Sequence, residues 1–234
     1  MNEVKELSSS LEATLKDSDL QSITIDLAET FSDALLEDGI LKDIPIIGTI
    51  VGLTKAAISL NERLLIKKLL YFISELNDID QEKRNKLISE IDNSEKERVK
   101  IGEKLLYIID KSEDHITAKY VAIIFRSFLN EQISYSDFLR CSAIIQKIFI
   151  QDLEKFIETR VEDIETISKY NNVLSDFQNS LITAGICSTE TESVSVRDQD
   201  DYKMTEKYVV EGGNSVIYLS EIGYTLKKVL TTII

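Results

Sequence analysis

The chain has a single proline, Pro45, and eight glycines in 234 residues, too few turn-forming residues for an all-β sandwich or barrel. Helix is therefore the expected default. The chain also has no tryptophan, one histidine (His115) and two cysteines, Cys141 and Cys187. Two cysteines do not make a disulfide framework, and one histidine leaves no Cys/His spacing for zinc. The lone histidine also removes most His-based acid–base and triad schemes. Positive charge is in short supply: 27 Lys plus Arg stand against 41 Asp plus Glu, a formal charge of −14, and no basic block stands out. Repulsion from phosphate then opposes binding to nucleic acid or to an anionic membrane. Met1 to Glu6 do not read as a basic-then-apolar leader, so a cytoplasmic location is expected.

Phosphate and metal motifs fail on specific residues. Gly48-x-x-x-Gly52 is not followed by Gly-Lys-Ser/Thr. Asp78-x-Asp80-x-Glu82 opens like a calcium loop but has Lys83 at the turn position and Ser89 at the twelfth. Carboxylate pairs such as Glu162/Asp163 and Asp200/Asp201 follow from the acidic composition alone. No catalytic, cofactor-binding or metal-ligating residue is assigned, no cofactor is expected, and the protein is read as a non-enzyme. His115 follows Glu113 and Asp114 at an acidic helix start and reads as a pH-sensitive surface side chain. Cys141 reads as a small core thiol.

Hydrophobic residues make up 43% of the chain and charged residues 29%, the balance of a folded globular protein. Residues 3–37 predict one or two amphipathic helices. Leu7, Leu11 and Leu15 repeat at helical spacing, and Leu20, Ile23, Leu27, Phe31 and Leu35 repeat again before an Asp38-Gly39 stop. The segment 40–76 differs from the rest. Apolar residues surround any helix drawn through Ile44, Pro45, Ile47, Gly48, Ile50, Val51, Gly52 and Leu53. Gly48, Gly52 and Ala56 recur every fourth residue, a spacing that lets another backbone approach. A helix over 44–58 and an amphipathic one over 64–76 are predicted. The leading reading makes 44–58 a buried central helix. The alternative makes 44–76 a membrane-inserting, pore-forming hairpin, although Asp43, Lys55, Asn61, Glu62 and Arg63 interrupt the ~20 apolar residues that a span requires.

From 80 to 168 the helical pattern is continuous. Asp80 is a cap for a helix through Ile91. Ser94-Glu95-Lys96-Glu97 matches a capping box opening a helix through Ile109, with Val99, Leu105, Leu106 and Ile109 inward. Ser112 or Glu113 opens the next, with Ala118, Val121, Ala122, Phe125 and Leu129 on one face. Ser134 to Asp137 is a second capping box. It begins a run through Phe138, Cys141, Ile145, Phe149, Leu153, Phe156, Val161, Ile164 and Ile167 that predicts one helix of roughly nine turns, ~50 Å. Residues 172–184 predict a short helix ended by Gly185. Tyr208 to Glu211 and Val216 to Leu219 flank Gly212-Gly213-Asn214 and predict a hairpin around a glycine turn, followed by a last helix from Ser220 to Ile233.

The stretch from Leu174 through Ala184-Gly185-Ile186, a hairpin, and the step Tyr218-Leu219-Ser220-Glu221-Ile222-Gly223 resemble the back half of a winged-helix domain. That resemblance implies a module whose helix before the wing binds DNA or docks a protein. Asp176 on that helix, without Lys or Arg beside it, favours protein docking, with Phe177, Leu181, Tyr208 and Tyr218 as candidates. Residues 44–73 and 133–156 loosely resemble uncharacterised bacterial helical proteins of phage-defence neighbourhoods. The expectation is a mainly α protein: a helical bundle over 1–168, and over 169–234 a small winged-helix-like tail with a β-hairpin and a final helix. Its expected role is a protein–protein interaction component of a bacterial antiviral system, binding another protein or itself. A membrane-inserting effector and a winged-helix DNA-binding regulator are the alternatives.

Overall fold

The computed structural model describes residues 2–17, 20, 23, 28, 40–54, 57–165, 167, 168, 174–198 and 208–232. The predicted helix run through Leu35 with its Asp38-Gly39 stop, Ala56, residues 172–173 and Ile233 lie outside the described residues, apart from Leu20, Ile23 and Ala28. The protein is mainly helical, with a small antiparallel sheet and a C-terminal helix. It divides into two compact units, Met1–Gln146 and Lys147–Ile234, ahead of the expected boundary at 168/169.

The earlier division follows from breaks in the predicted nine-turn helix. Instead of one rod there are α7 (Tyr135–Ile145), α8 (Ile150–Glu158) and α9 (Val161–Ile164). Phe149 is extended (φ −63°, ψ 131°), and Thr159 and Arg160 are extended as well, with ψ 136° and 153°. No glycine or proline marks these breaks. The apolar spacing runs through them because each short helix buries its own face: Phe138, Cys141 and Ile145 in one unit, Leu153, Phe156 and Ile164 in the other. Phe149, expected inward, is 59% exposed.

The first unit contains α1 (Asn2–Lys16), a 3₁₀ turn (Ile40–Asp43), α2 (Pro45–Leu53), α3 (Leu60–Ser74), α4 (Gln81–Asp92), α5 (Ile101–Lys111), α6 (His115–Leu129) and α7. Helix α1 packs on α2 and α5, while α6 packs on α3 and α7. The predicted α6 face holds: Ala118, Val121, Ala122, Phe125 and Leu129 are fully buried. Phe125 contacts Phe72, Phe128 and Phe138 with ring centroids 5.7, 5.8 and 5.2 Å apart. Truncating such a buried aromatic typically costs ~3–5 kcal/mol. Helix α5 meets α1 closely at Gly102, where an added Cβ would lie 2.5 Å from the Ser8 carbonyl oxygen.

Local caps explain most helix starts. Asp80 accepts from the N–H groups of Glu82 and Lys83, and Ser134 and Asp137 form the predicted box. Ser59 and Glu62 form another at the start of α3. The cap of α6 is Asp114, not Ser112 or Glu113. The predicted helix from Ser94 begins instead at Ile101. Asp92 reaches forward to accept from the Ile101 N–H at 2.8 Å, while Ser94 Oγ takes only the Lys96 N–H in a turn. Val99 lies before the helix and is 39% exposed, against the inward expectation.

The second unit contains α8, α9, β1 (Ile167–Ser168), α10 (Asp176–Ala184), β2 (Cys187–Thr191), β3 (Ser195–Asp198), β4 (Tyr208–Glu211), β5 (Ser215–Leu219) and α11 (Glu221–Thr231). Ser175 and Gln178 cap α10, and Gly185 ends it at φ 89°, in the left-handed region that glycine tolerates. The strand order is β1-β5-β2, with β3 paired to β4.

The predicted hairpin of 208–211 on 216–219 does not form. Tyr208–Glu211 pairs with Ser195–Asp198, and Ser215–Leu219 pairs with Cys187–Thr191. The register is unbroken from Cys187↔Leu219 to Asp198↔Tyr208, so β2 and β3 form one arm of a single long hairpin and β4 and β5 the other. Gly212 and Gly213 sit midway along an arm, not at its tip. Both have positive φ, 88° and 78°. A Cβ on Gly212 would lie 2.1 Å from the Ser193 carbonyl oxygen, so glycine is required at this close approach of the two arms.

Candidate interaction surfaces

The apolar segment forms α2, and α2 stops at Leu53, short of the predicted 58. Ile44, Ile46, Ile47 and Ile50 are buried, Pro45, Gly48, Val51 and Leu53 are intermediate, and Gly52 is exposed. The helix is thus buried on one side, not all round. Ile44 offers no side-chain cap. Thr14 of α1 supplies it: its hydroxyl accepts from the Ile46 N–H at 3.0 Å and donates to Ser10 O at 2.9 Å. Ser10 and Thr49 hydroxyls meet at 2.6 Å one turn further on. Among the described residues, the small-residue row does not receive another helix: at Gly48 an added Cβ would lie 2.5 Å from the Lys42 carbonyl oxygen of the 3₁₀ turn just before α2. Nothing lies within 4 Å of such a Cβ on Gly52. Among the described residues, no helix is long and apolar enough to cross a membrane.

A groove of about 600 Å³ opens between α1, α3 and α5; of the segment 40–76 it takes only Leu65, and none of the candidate residues of α2. Val4 and Leu7, Leu65, and Val99, Leu106 and Tyr107 line it, with Glu103, Lys104 and Asp110 alongside. Val4 is 52% exposed and Tyr107 56%, so these apolar groups face solvent. Helix α5 uses its other face, Leu105 and Ile109, for the core. The expectation that Val99 turns inward hides this lining in the sequence, because Val99 lies before α5 and Tyr107 lies beside its core row.

In the second unit, the candidate docking residues do not form one surface. Leu181 is 1% exposed and belongs to the core. Phe177 is half-buried, with the Lys155 ammonium 4.3 Å from its ring centroid. Tyr218 lies on the outer sheet face and is 39% exposed. The side chain of Tyr208 lies outside the described residues. Tyr224, on α11, donates to Glu165 at 2.6 Å, and the same carboxylate oxygen accepts from the Leu219 N–H. That hydrogen bond raises the Tyr224 phenol above its ordinary pKa.

Both cysteines are buried, and burial pushes Cys141 up to about 12 and Cys187 up to about 11, so neither is a thiolate at neutral pH. His115 is only partly exposed and packs against Tyr71 with ring centroids 4.6 Å apart. Burial first, then Lys67, holds its pKa below the ordinary value, and Asp114 opposes the shift. Among the described residues, no three of His, Cys, Asp or Glu are placed to hold a metal ion. Comparison with family models, curated proteins and solved structures finds no match.

Proposed function

We propose that the protein is a non-enzymatic protein–protein interaction component that works in the cytoplasm. The observation that carries this reading is the solvent-facing apolar groove of the first unit. Val4, Val99 and Tyr107 gain nothing from water, and an apolar helix face laid between α1 and α5 would bury them together. The association with antiviral defence rests only on the resemblance of residues 44–73 and 133–156.

The second unit supports a winged-helix-like docking module. Its helix α10 precedes a long hairpin in a β1-β5-β2 sheet, and a final helix follows. Asp176 is the one charged residue of α10, which disfavours contact with phosphate and so disfavours the DNA-binding alternative.

The test is site-specific photo-crosslinking in the native host, with the crosslinker at position 107 and a control at the exposed Lys86 of α4. The expected result is a discrete crosslinked protein from position 107 only, lost when Val99→Glu is added. No discrete product, or one indifferent to Val99→Glu, would overturn the reading. Tyr107→Asp should change stability by no more than ~0.5 kcal/mol, as its ring is exposed.

A further inference from the structure

The arm made by β2 and β3 is hydrogen-bonded along one side by β5 and β4, and no described strand lies along its other side. The ladder shows which main-chain groups face outward. Ser220 N–H donates to Ile186 O, and Glu192 N–H donates to Asn214 O, both at 2.9 Å. Paired and outward positions alternate along an antiparallel strand. The N–H and C=O groups of Cys187, Thr189 and Thr191 therefore point to the open edge. Every residue from Thr189 to Arg197 is exposed, so no described element covers it.

Exposed edges usually carry charged side chains, lysine above all, or proline or a covering element that blocks further strand pairing. Residues 187–198 contain neither lysine nor proline, and Val194 and Val196 are 58% and 63% exposed. The arm's one cation, Arg197, is paired to Glu211 across the hairpin at 2.6 Å. Glu190 and Glu192 leave the edge negative. A second copy pairing through the same edge would set these carboxylates against their own kind, which is unfavourable between neighbouring strands.

We infer that the β2–β3 edge binds an extended segment of another protein by strand addition, and that this segment carries Lys or Arg at alternate positions. Its main chain completes the ladder at Thr189 and Thr191, its cations meet Glu190 and Glu192 on one face, and its intervening apolar residues lie beside Thr189 and Thr191 on the other. This surface belongs to the second unit and is independent of the groove in the first.

The probe is a fluorescein-labelled heptapeptide of alternating Lys and Val, titrated against the full chain. The expected result is saturable binding. A Glu/Val peptide and a Lys/Val peptide with alternate backbone nitrogens methylated should each bind at least about tenfold more weakly. Thr191→Pro removes an outward N–H without touching the inward ladder, and should weaken binding by a similar factor with unchanged circular dichroism. Lys at both Glu190 and Glu192 should reverse the preference between the Lys/Val and Glu/Val peptides. Tyr107→Asp should bind the peptide normally, which separates this edge from the groove. The inference is overturned by absence of saturable binding, by equal binding of the methylated peptide, or by indifference to Thr191→Pro. A dimer in sedimentation that Thr191→Pro dissolves would overturn it in favour of a second copy.

Discussion

Among the described residues, each unit holds one buried cation, and the two differ in reach. In the first unit, Arg84 is 1% exposed and donates to the carbonyls of Leu15 and Asp17 at the C-terminal end of α1, at 2.9 and 2.6 Å, and to Ile79. In the second, Lys227 is 9% exposed and donates to Phe156, Ile157 and Thr159 at 2.5, 2.7 and 2.6 Å. Neither has a carboxylate among these partners. The carbonyls freed at a helix C-terminus take that place, and the helix dipole favours the positive charge there. The flat guanidinium spans two separate stretches of chain, α1 and the turn before α4. The ammonium is a single point and gathers three carbonyls from one helix end. Burial lowers the pKa of both groups, and at Arg84 the carboxylates of Asp80 and Asp17 oppose that shift.

The comparison predicts unequal losses. Arg84→Met strands carbonyls on two stretches of chain, and should cost the first unit ~3–5 kcal/mol, the range for breaking a buried charged contact. Lys227→Met frees carbonyls at one helix end only, and should cost the second unit ~1.5–3 kcal/mol, the range for a hydrogen bond to a charged group. Hydrogen exchange resolved by residue reads both. If Lys227→Met loosens protection as widely as Arg84→Met, the proposed difference in reach is wrong.

Two glycines sharpen the same contrast. An added Cβ at Gly223 would lie 2.1 Å from the Ile186 carbonyl oxygen, and at Gly102 it would lie 2.5 Å from that of Ser8. Gly223→Ala and Gly102→Ala should each destabilise their own unit by ~1–3 kcal/mol, with the larger loss at Gly223. Denaturant melts of the two variants check the order. Next come the caps: Ser59→Ala in the first unit and Ser175→Ala in the second should each cost ~1 kcal/mol, since both lose a capping box.

The smallest effect is in pH dependence. The folded-state pKa of His115 lies below the unfolded value of 6.5, so the unfolded chain binds more protons between the two. His115 therefore contributes stability that is fully present above pH 6.5 and is lost as pH falls through the folded value. His115→Gln should flatten that part of the stability profile relative to the parent. An unchanged slope would mean the ring is not desolvated against Tyr71.

Particular residues show how much was legible. Asp80, the Ser134 box, Gly185 and the buried row from Ala118 to Leu129 act through neighbours three or four residues away, so sequence spacing reveals them. The break at Thr159 has no local mark. Its sign is Lys227, far along the chain, which takes the carbonyls that end α8. The start of α5 was misplaced for a similar reason: Asp92 outcompetes the nearer Ser94. Gly212-Gly213 looked like a turn because paired glycines usually are one, and only the register of the whole hairpin places them mid-arm. The groove at Tyr107 is hidden because its apolar lining, Val4, Leu65, Val99 and Tyr107, comes from three separate stretches of chain that only the packing brings together.

The sequence by itself determined the helical character, through scarce proline and glycine, and it determined the local caps, because those are contacts between near neighbours. Tertiary structure decided where the rod from Phe138 breaks, which carbonyls the buried cations hold, how the hairpin arms pair and which apolar face stays in water. Those choices depend on groups far apart in the chain that meet only when the units close.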